Sequence, residues 1–264
     1  TIGKKTVTIP AVKVADGVRT DEYGGSLENR LRFAKEIREE IAKTCGWDFP
    51  VAVRFSPKSM LKDWRKGALP NEDFEEKGRD LEEGLQTAKL LEAYGYDTLD
   101  VDVGCYDAWW WNHPPMYMEK GPYRKYAKLV KETVKVPVFM AGRMDTPEMA
   151  ESCVKDGTCD VISLGRPLLA DPDYVKKLRA NHVCEIRPCI SCQEGCMGRI
   201  QTYSMINCAV NPQAARECVT AYEPVARKKR VLIAGGGVAG CEAARVLAER
   251  GHEPVLYEAS ERLG

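Results

Sequence analysis

Val136-Pro137-Val138-Phe139-Met140-Ala141-Gly142-Arg143 is the stretch that decides the fold, because it is a short apolar β-rich run that ends in Gly-Arg. The same order returns at residues 160–166, Asp-Val-Ile-Ser-Leu-Gly-Arg. Between the two runs, residues 146–155 have a helical pattern, with Thr146 at the N-cap and Pro147 at the first position. Strand, helix and strand in this order predict a parallel β/α unit.

The alternation extends outward from this unit in both directions. Strands are predicted at residues 51–55 and 98–104, helices at 27–43, 79–93 and 123–133, and a further short helix that Asp171-Pro172 opens. Four strands alternating with helices predict an α/β fold, and both a doubly wound sheet and a (β/α)8 barrel fit the pattern. In a barrel, these would be the C-terminal four of eight strands. Residues 1–18 fit neither scheme.

Composition and charge exclude several classes of protein. The 264 residues carry 39 basic and 39 acidic side chains, so no net field favours nucleic acid or a membrane surface. No apolar run approaches the ~18 residues that a membrane span needs. The eleven cysteines suggest a disulfide framework, but the length and the absence of a secretory signal disfavour it.

Four of these cysteines form a cluster in sequence after the alternation stops near residue 181. Their spacing is Cys189-x2-Cys192-x3-Cys196-x11-Cys208. Four thiolates can hold zinc or a [4Fe–4S] cluster. Three ligands in one loop with a distant fourth favour the cluster, while zinc and unrelated thiols stay open.

A second motif follows a predicted domain boundary near residue 226. Gly235-Gly236-Gly237-Val238-Ala239-Gly240 has the G-x-G-x-x-G pattern between a predicted strand (231–234) and a predicted helix (238–250). Glu258 ends the next predicted strand. This is the fingerprint of a dinucleotide-binding βαβ unit, in which Gly235, Gly237 and Gly240 allow the close pyrophosphate approach. The Glu258 carboxylate suits an adenosine ribose with a free 2′-hydroxyl, as in FAD or NAD.

Further candidates belong to the β/α part. The strand-end pairs Gly142-Arg143 and Gly165-Arg166 are typical of a barrel phosphate site, although ordinary turns with surface arginines would look the same. Arg54 lies within a strand and is either salt-bridged or directed at an anionic ligand. The aromatic loop, defined as residues 106–117, contains His113 and suits a substrate wall or a packing patch, and His113 also has a purely structural interpretation.

These motifs together resemble a known family. Residues 19–30 (RTDEYGGSLENR), the two Gly-Arg loops, the cysteine spacing and the glycine fingerprint occur in this order in the Old Yellow Enzyme-like iron–sulfur flavoproteins. That group includes 2,4-dienoyl-CoA reductase, trimethylamine dehydrogenase and the clostridial 2-enoate reductases. Residues 67–70 and 111–117 are most similar to the 2-enoate reductases.

The resemblance implies a role for each candidate residue. Arg54 would face the flavin, and the phosphate of FMN would be held by Gly142, Arg143, Gly165 and Arg166. Cys189, Cys192, Cys196 and Cys208 would ligate a [4Fe–4S] cluster, Gly235, Gly237, Gly240 and Glu258 would bind FAD, and His113 would lie over the flavin.

The family further implies a barrel part (residues 1–180, with 1–18 unplaced), a cluster segment (181–225) and the start of a FAD-binding domain (226–264). The implied reaction is NADH-dependent reduction of an activated C=C bond in a small enoate, with electrons passing from NADH through FAD and the cluster to FMN. Alternatives are a dienoyl-CoA or steroid enone reductase, an amine dehydrogenase, and a non-catalytic remnant that binds only the cluster. We expect a cytoplasmic fragment of a longer enzyme, self-associating in some form, with no nucleic-acid or membrane partner.

Overall fold

The computed structural model describes residues 19–264. In chain order its helices and strands are α1 (Leu27–Cys45), β1 (Ala52–Phe55), β2 (Leu61–Asp63), β3 (Lys66–Gly67), α2 (Leu81–Ala93), β4 (Thr98–Val101), α3 (Trp109–Asn112), α4 (Arg124–Thr133), β5 (Val138–Met140), α5 (Pro147–Lys155), β6 (Val161–Ile162), α6 (Arg166–Ala170), α7 (Tyr174–Arg179), α8 (Met197–Gln201), β7 (Arg230–Ala234), α9 (Val238–Glu249) and β8 (Glu253–Tyr257). The expectation for residues 1–18 lies outside the described residues.

A four-stranded parallel sheet organises the larger part of the chain. Its strands lie in the order β1-β4-β5-β6, so spatial neighbours follow chain order. Leu99 is paired with Val53 on one side and with Val138 on the other. Leu99, Val101, Val138 and Met140 are fully buried, and helices α2 and α4 pack beside the sheet. The predicted α/β fold with parallel strands is confirmed.

The strands end earlier than the sequence pattern predicted. Strand β4 ends at Val101 instead of residue 104, β5 at Met140 instead of 142, and β6 at Ile162 instead of 165. Gly104 and Gly142 have φ angles of 91° and 94°, which turn the chain out of the sheet. The residues past each strand are therefore free to line a site at the carboxyl edge of the sheet.

Helix starts were predicted with mixed success. Ser26 caps α1 by accepting a hydrogen bond from the Asn29 N–H, as expected. Thr146 occupies the N-cap position of α5, but its hydroxyl accepts from Lys120 Nζ and makes no capping bond. The short helix predicted from Asp171 begins only at Tyr174, because the Asp171 carboxylate accepts the N–H groups of Asp173 and Arg187 instead.

A small hairpin, which the sequence did not predict, contacts the aromatic loop. Strands β2 and β3 pair antiparallel, and Trp64 at the tip is 73% exposed. The indole N–H groups of Trp110 and Trp111 both donate to the carbonyl oxygen of buried Ala68, at 2.9 and 2.8 Å. These two hydrogen bonds attach the aromatic loop to the hairpin.

The C-terminal residues form a second parallel pair. Strands β7 and β8 pair over five residues, from Arg230 with Glu253 to Ala234 with Tyr257, and α9 lies between them in sequence and packs on both. The predicted strand–helix–strand order is therefore present. Among residues 19–264, no helix is long and apolar enough to cross a bilayer.

Candidate functional site

A cavity of about 660 Å³ lies at the carboxyl edge of the four-stranded sheet. It is lined by residues that follow β1, β4, β5 and β6, because parallel strands bring their carboxyl ends to the same edge. Six residues that the sequence singled out line it together: Arg54, His113, Gly142, Arg143, Gly165 and Arg166. Cys189 of the cysteine cluster also lines this cavity.

The two Gly-Arg loops present backbone N–H groups to the cavity. Gly142 has a left-handed φ, and a Cβ there would lie 2.6 Å from the ring of Tyr123. Gly165 is the N-cap of α6, and Arg166 is its first residue. Within residues 19–264, no hydrogen bond uses the N–H of Gly142, Arg143, Gly165 or Arg166. Unpaired N–H groups beside cationic side chains are the chemistry that holds an anion such as a phosphate.

The guanidinium groups of these loops also hold the aromatic loop by its backbone. Arg143 donates to the carbonyl oxygens of Pro115, at 2.9 Å, and of Met116 and Met118. Arg166 donates to the Pro114 oxygen at 3.0 Å. Burial lowers the pKa of Arg143 from its ordinary value. The sequence analysis weighed phosphate binding against ordinary turns with surface arginines, and it missed this positioning of the loop.

Arg54 lies between two carboxylates of β4 and its end. Its Nε donates to Asp102 at 3.0 Å and its NH1 to Asp100 at 3.4 Å, while Ser163 Oγ donates to Asp100 at 3.2 Å. Burial lowers the Arg54 pKa, but the two carboxylates outweigh it and the net shift is upward. Burial raises the pKa of Asp100. Of the two sequence readings, the ion pair is observed, and the half-exposed guanidinium still lines the cavity.

His113 lies on the cavity wall with its imidazole packed against an aromatic ring. The ring stacks on Trp109 with centroids 4.1 Å apart and planes 25° apart. Its Nδ1 is buried without a hydrogen-bond partner. Burial lowers the His113 pKa, the nearby Arg166 and Arg54 lower it further, and Asp102 opposes them. These effects together favour the neutral form of the imidazole.

Asp102 lines the cavity and Tyr123 packs beside Gly142 behind it, and the sequence analysis missed both residues. Tyr123 is fully buried, its hydroxyl donates to the Trp111 carbonyl oxygen, and burial with nearby Asp102 raises its pKa. The only sequence signal for Asp102 was the alternation of acids in Asp100-Val101-Asp102, since a buried strand rarely carries two carboxylates without partners.

The four cysteines of the cluster line one small cavity of about 20 Å³ beside the larger one. Ser191 and Gln193 both have left-handed φ angles, so the loop turns sharply between Cys189 and Cys196. The Ser191 N–H donates to Cys189 Sγ at 3.4 Å. All eleven cysteines are free thiols. Within residues 19–264, no group of three or more Cys, His, Asp or Glu side chains is arranged to hold a single metal ion.

Close backbone contacts join the cysteine cluster to the rest of the site. A Cβ on Gly195 would lie 2.2 Å from Asn207 Oδ1, so glycine is needed where the Cys196 loop meets the Cys208 segment. Gln193 Nε2 donates to the His113 carbonyl oxygen. Arg166, Cys189 and Ser191 line both cavities. The two cavities are therefore separated by single side chains.

The glycine-rich turn after β7 has the tight geometry its motif predicts. Gly235 has a φ of 106°, and a Cβ on Gly240 would lie 1.9 Å from the Gly235 carbonyl oxygen. Gly237 caps α9 without a side chain. Glu258 accepts the N–H groups of Gly236, at 2.6 Å, and Ser260, at 2.8 Å, and the Ser260 and Gly236 N–H groups lower its pKa to about 2. The turn thus lies beside an ionised carboxylate.

A parallel α/β sheet whose strand ends surround an anion-binding cavity is a common architecture of flavin-dependent oxidoreductases. Residues 12–184 match the NADH:flavin oxidoreductase / NADH oxidase family. The chain belongs to this family of oxidoreductases.

Individual relatives agree with the family assignment. The chain is 55% identical to cinnamate reductase of Clostridium sporogenes over 246 residues, which cover 93% of this chain and 37% of that protein. It is 40% identical to NADH oxidase of Thermoanaerobacter brockii, covering 93% of this chain and 36% of that protein. A solved structure of 2-naphthoyl-CoA reductase with 2-naphthoyl-CoA superposes with a TM-score of 0.84 at 33% identity, over 94% of this chain and 36% of that one. The chain therefore spans little more than a third of the relatives it matches.

Proposed function

We propose that this chain carries the substrate-reducing part of an NADH-dependent flavin enzyme that reduces the C=C bond of a small enoate. Family membership and the 55% identity to a cinnamate reductase support this reaction class. The single observation that carries the proposal is the convergence of Arg54, His113 and both Gly-Arg loops on one cavity. The spatial strand order β1-β4-β5-β6 follows the chain without a reversal. This supports half of a (β/α)8 barrel, because a doubly wound sheet reverses its strand order at the point where ligands bind.

The hydrogen-bond donors that line the large cavity suit FMN. The unpaired N–H groups of Gly142, Arg143, Gly165 and Arg166 would hold the phosphate, together with the Arg166 charge. Arg54 would face the anionic edge of the reduced flavin, kept cationic by Asp100 and Asp102. His113 would offer an imidazole N–H to substrate or flavin, and its lowered pKa favours the uncharged ring.

A [4Fe–4S] cluster fits the small cavity by donor type. Cys189, Cys192, Cys196 and Cys208 all line it, and the Ser191 N–H is already directed at a ligand sulfur. Four thiolates are also a donor set that zinc uses, so the metal must be identified chemically. The glycine turn and Glu258 would hold FAD, with the helix N-terminus of α9 at the pyrophosphate and the carboxylate at the ribose.

These cofactors would supply the redox chemistry, with electrons from NADH passing through FAD and the cluster to FMN and then to the C=C bond. The chain's own residues bind the groups, orient them and exclude water. On this proposal the flavin part lies within residues 1–180, with 1–18 unplaced, the cluster segment is 181–225, and 226–264 start the FAD-binding domain.

The test is an anaerobic absorbance spectrum of the purified 264-residue chain, with iron, sulfide, zinc and flavin measured in the same sample. Broad absorbance with about four iron per chain is expected, and it should be lost in Cys196→Ser. Cys184→Ser is the matched control, because Cys184 is an exposed thiol outside the cavity. Bound FMN, together with reduction of an arylacrylate when an artificial electron donor is supplied, would support the proposed enoate-reducing function.

Other outcomes of this experiment would change the assignment. A cluster without flavin would mean that the chain binds metal but does not catalyse. A colourless zinc protein would contradict the redox interpretation of the cysteine cluster.

A further inference from the structure

Three aromatic rings form a stack beside the cavity. Tyr106 stacks on Trp109 with centroids 5.8 Å apart, and Trp109 stacks on His113 at 4.1 Å, both with 25° between planes. The three residues are spaced by three and four positions along a short 3₁₀ turn and α3, so they share one face. The two outer members of the stack, Tyr106 and His113, both line the cavity, and Tyr106 is 84% exposed.

Hydrogen bonds hold both backbone polar groups of His113, the N–H and the carbonyl oxygen. Its N–H donates to the Trp109 carbonyl oxygen at 2.9 Å, and its own carbonyl oxygen accepts from Gln193. These bonds leave the side-chain torsions free, and the last torsion of histidine is intrinsically broad. A hydrogen bond to a ring nitrogen usually removes that freedom. Here the buried Nδ1 has no such partner.

Among residues 19–264, the one aromatic ring that stacks on the imidazole is the indole of Trp109. The neighbouring indoles of Trp110 and Trp111 are directed elsewhere, because both donate to the Ala68 carbonyl oxygen. The charged groups facing His113 are Asp102, Arg54 and Arg166, which act at a distance on the ring. A flat apolar contact of this closeness fixes a ring plane and excludes water from one face.

We propose that Trp109 is a positioning residue, whose indole fixes the plane of the His113 imidazole and so the direction in which its N–H points into the cavity. The inference rests on the proposed function only for what the cavity binds, because the orientation itself is a property of the described residues. Tyr106 in turn stacks on Trp109.

Nuclear magnetic resonance of the histidine rings tests the orientation without any cofactor. The chain has only three histidines, so His113, His182 and His252 can be assigned by single substitutions. The His113 ring protons should resonate upfield because they lie over the indole. Trp109→Leu should abolish this shift, and the His113 pKa should rise toward its ordinary value as water reaches the ring. Trp109→Phe should restore most of both effects.

The matched control is Trp64→Leu, the same replacement at an exposed hairpin tip. It should leave all three histidines unchanged, and unchanged His182 and His252 signals in Trp109→Leu show that the variant is folded. His113 signals that are unaltered in Trp109→Leu and Trp109→Phe would overturn the proposal. In the flavin-loaded chain, Trp109→Leu should lower kcat about tenfold with a smaller change in KM. Loss of the ring shift in a chain that never reduces enoates would leave the positioning role intact and reject the proposed function.

Discussion

At the scale of single residues, Gly142 is a position where both the backbone conformation and the space oppose a larger residue. Its φ of 94° is left-handed, and an added Cβ would meet the Tyr123 ring. We expect Gly142→Ala to lower the free energy of unfolding by about 2 kcal/mol or more, from left-handed strain of about 1–2 kcal/mol and overpacking. Urea unfolding followed by tryptophan fluorescence measures this change, because all five tryptophans lie in residues 47–111.

Gly165→Ala is the matched control at the other Gly-Arg loop. Nothing lies within 4 Å of an added Cβ at Gly165, and its φ of −108° is ordinary. Its unfolding free energy should stay within about 0.5 kcal/mol of the parent. Equal losses for the two variants would show that the close contact between Gly142 and Tyr123 is not a constraint on the fold.

Residue identities alone could not establish which reading of Arg54 was correct. The sequence marked Arg54 as a charge in a strand, but its partners lie 46 and 48 positions later. They meet only because β1 pairs in parallel with β4, in the register that sets Arg54 opposite Asp100. The same holds for Tyr123, whose contact with Gly142 depends on how α4 begins relative to β5. Pairing register, rather than local pattern, decides these contacts.

At the scale of elements, the hairpin and the aromatic loop depend on a shared acceptor. The Ala68 carbonyl receives both the Trp110 and the Trp111 indole N–H. Removing one donor leaves the oxygen satisfied, whereas removing both leaves a buried acceptor unpaired, at about 1–3 kcal/mol. We therefore expect Trp110→Phe and Trp111→Phe to be non-additive, with the double variant destabilised by about 1 kcal/mol more than the sum.

Thermal and urea unfolding of the parent, the two single variants and the double variant, followed by circular dichroism at one wavelength, give the double-mutant cycle. Trp64→Phe serves as the control for loss of an indole, because Trp64 is exposed. Simple additivity of the two substitutions would mean that the shared carbonyl does not couple the hairpin to the aromatic loop.

Long periodic elements were predictable, and short ones were not. The helices α1, α2, α4, α5 and α9 lie within two residues of their predicted limits, because each carries several turns of apolar periodicity. The hairpin strands have three and two residues and α6 has five. Elements of this length are too short to show a periodic pattern of apolar residues. Helix α6 also begins at Arg166, inside a loop that the sequence read only as a phosphate site.

At the scale of the whole molecule, the sheet has two incompletely paired edges. Within residues 19–264, β1 pairs only with β4, and β6 pairs only with β5. Val161 on β6 is 40% exposed. Unpaired parallel edges with apolar side chains favour association with another chain. We expect the 264-residue chain to self-associate at micromolar concentration, and Val161→Lys to weaken that association at least tenfold.

Sedimentation velocity across a concentration series measures this association. Val154→Lys is the matched control, since Val154 is 46% exposed but lies on helix α5, away from the sheet edge. A monomeric parent chain, or equal behaviour of the two lysine variants, would exclude the β6 edge as the contact.

The backbone attachment of the aromatic loop has a consequence for divergence among related sequences. Arg143, Arg166 and Gln193 hold the loop through the carbonyl oxygens of residues 113–116 and 118, and these oxygens exist whatever side chains the loop carries. Side chains that face the cavity can therefore be exchanged during evolution without loosening the loop. A family built on this arrangement can change the molecules it recognises by point substitution, while the arginines and the glutamine are retained.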